Sequence, residues 1–189
     1  MIRFAPVPCP AEFEERCRRV GLAWLAEHPD AERPKDFWSP FKPQLATGFG
    51  HLCAYSCMFE PVGTVDHYLS TTTHRAYAYD WDNYRFASQW INSSKQALDK
   101  AVLDPFQVGD DWFEILLPSL QLVLTSAVPE EHRARAEYTL ERLHLRDDER
   151  VIRQRREWYR MFQENELTLE GLRRKAPLIA RAVEKQRSP

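Results

Sequence analysis

The residues best suited to chemistry are Val65-Asp66-His67, followed by Asn83 and then Asn92. A neutral imidazole, with an unperturbed pKa of about 6.5, suits removal of a proton from water near neutral pH. A carboxylate together with a side-chain amide oxygen is a hard-oxygen set, of the kind that binds Mg²⁺ or Mn²⁺. His67 is therefore a candidate general base, and Asp66 and Asn92 are candidate ligands of a divalent cation. Asn83 fits a tie between loop and strand through side-chain hydrogen bonds. Phosphodiester hydrolysis is a reaction that such a set could perform. It needs an activated water, a cation to polarise the phosphate and stabilise the leaving oxygen, and a scaffold that holds both to within about an ångström. The bland alternative is a capping aspartate, a half-buried histidine and two turn asparagines. Spacing by itself does not separate the two.

The elements that must position these residues follow from the pattern around them. Residues 64–69 are β-prone, 83–87 form a second short strand candidate, and 90–102 turn helical before Asp104-Pro105 ends the run. Neighbouring side chains in a strand face opposite sides. Asp66 and His67 can therefore serve one phosphate only if the strand ends or twists there, as the loop 70–78 allows.

Upstream, residues 10–28 read as an amphipathic helix, with Phe13, Cys17, Val20 and Trp24 at helical spacing. Residues 29–43 are a Pro-rich aromatic connector, with a short helix from Ser39-Pro40 to Phe49. Downstream, 112–117 and 120–125 read as two strands, followed by helices over 129–144, 147–164 and 168–186, the last kinked at Pro177. The expected fold is α+β with helix dominant, in a single domain spanning 1–189. Its parts would be a helical region over 10–50, a catalytic core over 51–105, and a strand pair with C-terminal helices over 106–189.

The bulk composition narrows the classes. The chain is 43% hydrophobic and holds six Trp, seven Tyr and ten Phe, enough for a sizeable core. No run approaches the ~18–20 apolar residues of a membrane span. The start, Met1 to Pro8, is too short and too Pro-rich for a secretory signal, so a cytoplasmic location is expected. Four scattered cysteines make no disulfide framework. The formal charge of −2 hides an asymmetry: residues 101–149 carry four Lys/Arg against eleven Asp/Glu, and 150–189 carry eleven against five. A local positive field suffices for a nucleic-acid partner. Arg153, Arg156 and Arg160 would lie along one side of a helix. They either hold a DNA backbone or form a solvated face over Val151, Ile152, Tyr159 and Phe162. His28, His132 and His144 read as surface histidines. Trp38, Trp81, Trp90 and Trp112 read as core.

Cys53-Ala54-Tyr55, Val65-Asp66-His67, Tyr79-Asp80-Trp81-Asp82-Asn83-Tyr84 and Asn92-Ser93-Ser94-Lys95 occur in that order. Together they resemble the HNH endonuclease superfamily, in the bacterial branch that reads CxYC, then (V/I)(D/E)H, then YxWxN, then an Asn-x-x-Lys element. The resemblance covers about residues 50–105. It implies a ββα-metal core with His67 as general base, Asp66 and Asn92 as metal ligands, Asn83 as the middle and usually structural member of the catalytic set, and Lys95 as a basic residue near phosphate. It implies a divalent cation, usually Mg²⁺, with Mn²⁺ as a substitute, and DNA as substrate. One such centre cuts one strand, so double-strand cutting would imply a homodimer or sequential nicks. Relatives of this kind often sit beside ATPases in bacterial defence, which makes a partner ATPase or defence subunit an expectation. The alternative is a nucleic-acid-binding or partner-docking protein that keeps the fold without turnover.

The cysteines depart from that branch. Cys57 stands one place late in the first knuckle, behind Ser56, and the second pair has no counterpart in 86–92. Two thiolates cannot fill a tetrahedral zinc site. A structural zinc is therefore not expected, and packing by Tyr55, Phe86 and Trp90 is expected in its place.

Overall fold

The protein is described here from a computed structural model covering residues 1–187. Helices dominate, and among the described residues the sheet content is two separate antiparallel strand pairs, so the fold is helix-dominant α+β.

The N-terminal helix opens with a wide π-helical turn, Glu14–Arg18, and continues as α1, Arg19–Glu27. It begins later than residue 10, and Phe13 and Cys17 are its buried anchors. The Pro-rich connector then crosses the surface to a 3₁₀ turn, Ser39–Phe41, that leads into α2, Lys42–Gly48. Proline is favoured there because the first turn of a helix has no use for its missing N–H.

The central unit is a hairpin followed by a helix. β1 (Thr64–His67) pairs antiparallel with β2 (Tyr84–Ala87), with Asp66 opposite Arg85 and His67 opposite Tyr84. Next comes α3, Gln89–Lys95, which packs against β1. The helix expected over 90–102 is thus much shorter. Gln96 takes φ +46° and ψ −128°, a backbone conformation that cannot continue a helix, and a 3₁₀ turn, Asp99–Ala101, follows.

The second hairpin joins β3 (Phe113–Leu116) to β4 (Gln121–Leu124). Then come α4 (Glu130–Arg142), α5 (Glu149–Gln163), α6 (Leu169–Lys175) and α7 (Pro177–Arg187). The Asp148 and Thr168 side chains accept backbone N–H bonds at the starts of α5 and α6. The single helix expected over 168–186 is two helices, because Pro177 starts a new one instead of kinking the old.

One contiguous buried cluster links both halves, from Phe13, Trp81 and Tyr84 beside the first hairpin to Leu140, Val151 and Ile179 beneath the last helices. Phe13 meets Phe41, Trp81 and Tyr84 edge-on, with ring centroids 5.1–5.8 Å apart. Two buried charges brace the frame. Arg85 grips Asp104 through two parallel bonds of 2.9 and 2.8 Å. Arg155 donates to the carbonyls of Leu120, Leu145 and Arg146. No helix among the described residues is long and apolar enough to cross a membrane.

Candidate active site

β1 ends on His67, where Tyr68 and Leu69 turn into the following loop. That ending resolves the alternation problem: Asp66 and His67, adjacent in sequence, both line one cleft of about 530 Å³. The exposed edge of α3 supplies Asn92, Ser93 and Gln96 to its walls. The loop after β1 supplies Ser70, Thr71 and Thr72, and the connector supplies Arg33, Pro34 and Trp38. The loop is pinned by Asp99, which accepts from the Ser70 N–H and the Thr73 hydroxyl. Residues 33–38 and 66–97 therefore meet at a single site.

The hydrogen bonds of His67 assign its tautomer. Its Nε2 lies 2.9 Å from the carbonyl oxygen of Ala78, which can only accept. The ring proton therefore sits on Nε2. Nδ1 keeps its lone pair and has no partner among the described residues. The ring is wedged edge-on between Trp38 and Tyr84, at centroid distances of 4.6 and 4.9 Å. Burial holds the imidazole below its ordinary pKa of 6.5; the Ala78 bond and the Asp66 charge oppose this, and Lys95 adds to it. His67 is a neutral acceptor at pH 7.

Asp66 is almost wholly buried at the cleft floor. One carboxylate oxygen accepts from the Tyr55 hydroxyl at 2.6 Å, and the other meets the Lys95 ammonium at 3.1 Å. Burial, and then the Asp66 charge, hold the Tyr55 phenol well above its ordinary range, so it stays a donor. A carboxylate has about four lone-pair positions, so two bonds leave acceptor capacity. Asn92 turns its amide nitrogen toward the Val65 carbonyl at 3.4 Å, and its oxygen has no hydrogen-bond partner among the described residues.

The donor set fits a hard divalent cation. Among the described residues, no three His, Cys, Asp or Glu side chains form a metal cage. An ion here would be held by the Asp66 carboxylate and the Asn92 amide oxygen and would retain most of its water. Mg²⁺ is commonly bound in this way, through one or two carboxylates plus water and substrate oxygens.

Other candidate residues are placed differently from expectation. Lys95 does not face phosphate. It is fully buried, and its ammonium donates to the His67 and Tyr68 carbonyls at 2.8 and 3.0 Å as well as meeting Asp66. All three donors are spent inside the protein. Asn83, grouped with His67 in the catalytic set, lies outside the cleft. Its oxygen accepts from the Leu69 N–H at 2.7 Å, and its nitrogen donates to the Leu69 and Tyr77 carbonyls. It positions the loop, as its structural reading implies. The basic face expected of Arg153, Arg156 and Arg160 is largely neutralised. Arg153 pairs with Glu149, and Arg160 pairs with Glu157, Glu164 and Glu166. Arg156 alone of the three has no ion pair among the described residues.

Tyr55 and Phe86 are buried as expected, but Trp90 is only half-covered and lies under the Arg150 guanidinium, 4.2 Å from its ring centroid. The Cys53 sulfur lies near the Ser88 hydroxyl, and the Cys57 sulfur accepts from the Ile2 N–H. The sequence reading missed the grip of Tyr55 on Asp66 and the approach of Arg33 and Trp38 to the cleft. Only the aromatic density of the connector hinted at the latter.

Protein-family models, curated proteins and solved structures were all compared with this chain, and none matches it.

Proposed function

We propose that the protein is a divalent-cation-dependent HNH-type endonuclease that hydrolyses DNA phosphodiester bonds. The observation that carries this reading is that Asp66, His67 and Asn92 line one cleft, with His67 Nε2 already spent on the Ala78 carbonyl. His67 Nδ1 accepts the proton of the attacking water. Its Nε2–H stays anchored on Ala78, so the ring neither tumbles nor switches tautomer. Asp66 and Asn92 would hold the cation, which when bound polarises the phosphate and offsets charge on the leaving oxygen. Tyr55 and Lys95 fix the Asp66 carboxylate from behind. Trp38 and Tyr84 keep the imidazole flanked and shielded. Arg33, with no ion pair among the described residues, offers a positive charge to a phosphate in the cleft.

The direct test is incubation of supercoiled plasmid with the purified protein in Mg²⁺, Mn²⁺ or EDTA. Nicking that needs the cation supports the proposal; folded protein that never cuts refutes it. Two further results are expected. Asn92→Ala should raise the Mg²⁺ concentration for half-maximal cleavage at least about tenfold, since even outer partners of metal ligands are worth about 10–100-fold. An unchanged Mg²⁺ requirement would remove Asn92 from the ligand set. The pH profile of kcat/KM should rise on its acid side with a midpoint below 6.5 and be flat by pH 7, because burial lowers the proton affinity of His67. A midpoint above 7 would point to a different base.

A further inference from the structure

A second hollow adjoins the cleft across α3. Ser93 and Gln96 belong to the walls of both. Its far side is Arg142, His144 and Arg150, and Trp90 forms part of its floor. No acidic residue lines it. The acidic groups nearby, Glu141, Asp147 and Asp148, line a separate depression beyond His144.

The cations here differ from those on the outer face of α5. Arg142 ends α4 exposed, with no ion pair or hydrogen bond to its side chain among the described residues. Arg150 is preset: Asp148 holds its guanidinium through bonds of 2.8 and 2.9 Å, and the Trp90 ring supports it at 4.2 Å. Asp148 offsets part of that charge, so Arg142 is the main source of positive field. Gln89 and Gln96 add side-chain amides with no protein partner among the described residues. A guanidinium fork beside uncharged amide donors suits phosphate oxygens, which accept from several directions and carry a charge.

On the nuclease reading above, we infer that this hollow is a backbone-phosphate subsite for the DNA strand that is cut, which passes over the exposed edge of α3 between the two depressions. It takes sugar–phosphate backbone rather than bases, so it adds affinity without sequence preference. It also places the nucleic-acid contact of the C-terminal half at the α4–α5 corner instead of along Arg153, Arg156 and Arg160.

The test uses the full chain with His67→Ala, so that DNA is bound but not cut, and a fluorescein-labelled duplex followed by anisotropy across a salt series. Removing one phosphate contact from B-DNA should lower the slope of log K against log salt by about 0.9. Arg142→Ala should do so, and Arg142→Glu should weaken binding further. Arg153→Ala, which removes an arginine already paired with Glu149, should leave the slope unchanged. In the His67 parent, Arg142→Ala should raise KM and leave kcat as it was. Circular dichroism and melting check that each variant is folded. An unaltered slope and affinity in Arg142→Glu, with the parent still cutting, overturns the subsite and leaves the nuclease reading standing. A folded parent that neither binds the duplex nor cuts plasmid overturns that reading, and the subsite with it.

Discussion

His67→Ala should lower DNA cleavage by about 10²–10⁴-fold, the range that a positioned general base supplies. The fold should survive. The lost bond is to the Ala78 carbonyl, and that oxygen still accepts from the Tyr84 hydroxyl at 2.8 Å. No buried acceptor is orphaned, so the stability cost is about 1–2 kcal/mol for one neutral hydrogen bond and some packing. The two effects are measured separately, by initial nicking rate at saturating Mg²⁺ and by urea denaturation. A variant that cuts at the parent rate would exclude His67 as the base. A variant that no longer unfolds cooperatively would make the histidine structural instead.

Lys95→Ala should have the largest effect on stability, about 3–5 kcal/mol, because it breaks a buried ion pair from one side only. The Asp66 carboxylate, with a side-chain exposure of 2%, would keep only the Tyr55 hydroxyl. The carbonyls of His67 and Tyr68 would lose their ammonium donor at the same time. For a chain of this length, each kcal/mol lowers Tm by about 2–4 °C, so the drop is easily read. The double variant Lys95→Met with Asp66→Asn should recover part of the loss, since it removes both charges and keeps most of the volume. A Lys95→Ala protein as stable as the parent but weaker on DNA would mean that the ammonium faces solvent phosphate after all.

The contrast between His67 and Lys95 shows what the sequence could and could not reveal. The gathering of Asp66, His67 and Asn92 was legible because it depends on local geometry: a short hairpin, a strand that stops at the histidine, and a helix returning beside it. Lys95 lies three residues beyond Asn92, and on an isolated helix its side chain would reach the same opening. Only the packing of α3 onto β1 turns it inward. Arg155 repeats the lesson. It sits between Arg153 and Arg156 with nothing in its neighbours to distinguish it, yet it is almost fully buried, holding three carbonyls of the β3–β4 and α4–α5 corners. The loss of the basic face at Arg153 and Arg160 was legible in principle, since Glu149, Glu157 and Glu164 stand three or four residues away. The early end of α3 was not, because Gln96 is an ordinary helix former that tertiary context forces to positive φ. Arg33 and Trp38 reach the cleft from a connector whose path no periodicity encodes.

On the proposed reading, the ion pair at the cleft floor would also set the order in which ligands gather. The single positive charge of Lys95 cancels that of Asp66 before anything binds. Withdrawing a cation with chelator therefore uncovers no unbalanced buried anion, and folding should be indifferent to it. On the proposed reading, the same cancellation would make the free cleft a poor trap for Mg²⁺. A phosphodiester entering beside Asn92 would restore the missing negative charge, and linkage would then require cation and DNA to raise each other's affinity by the same factor. On the proposed nuclease reading, the centre would idle in the Mg²⁺ of its surroundings and be completed only on its substrate.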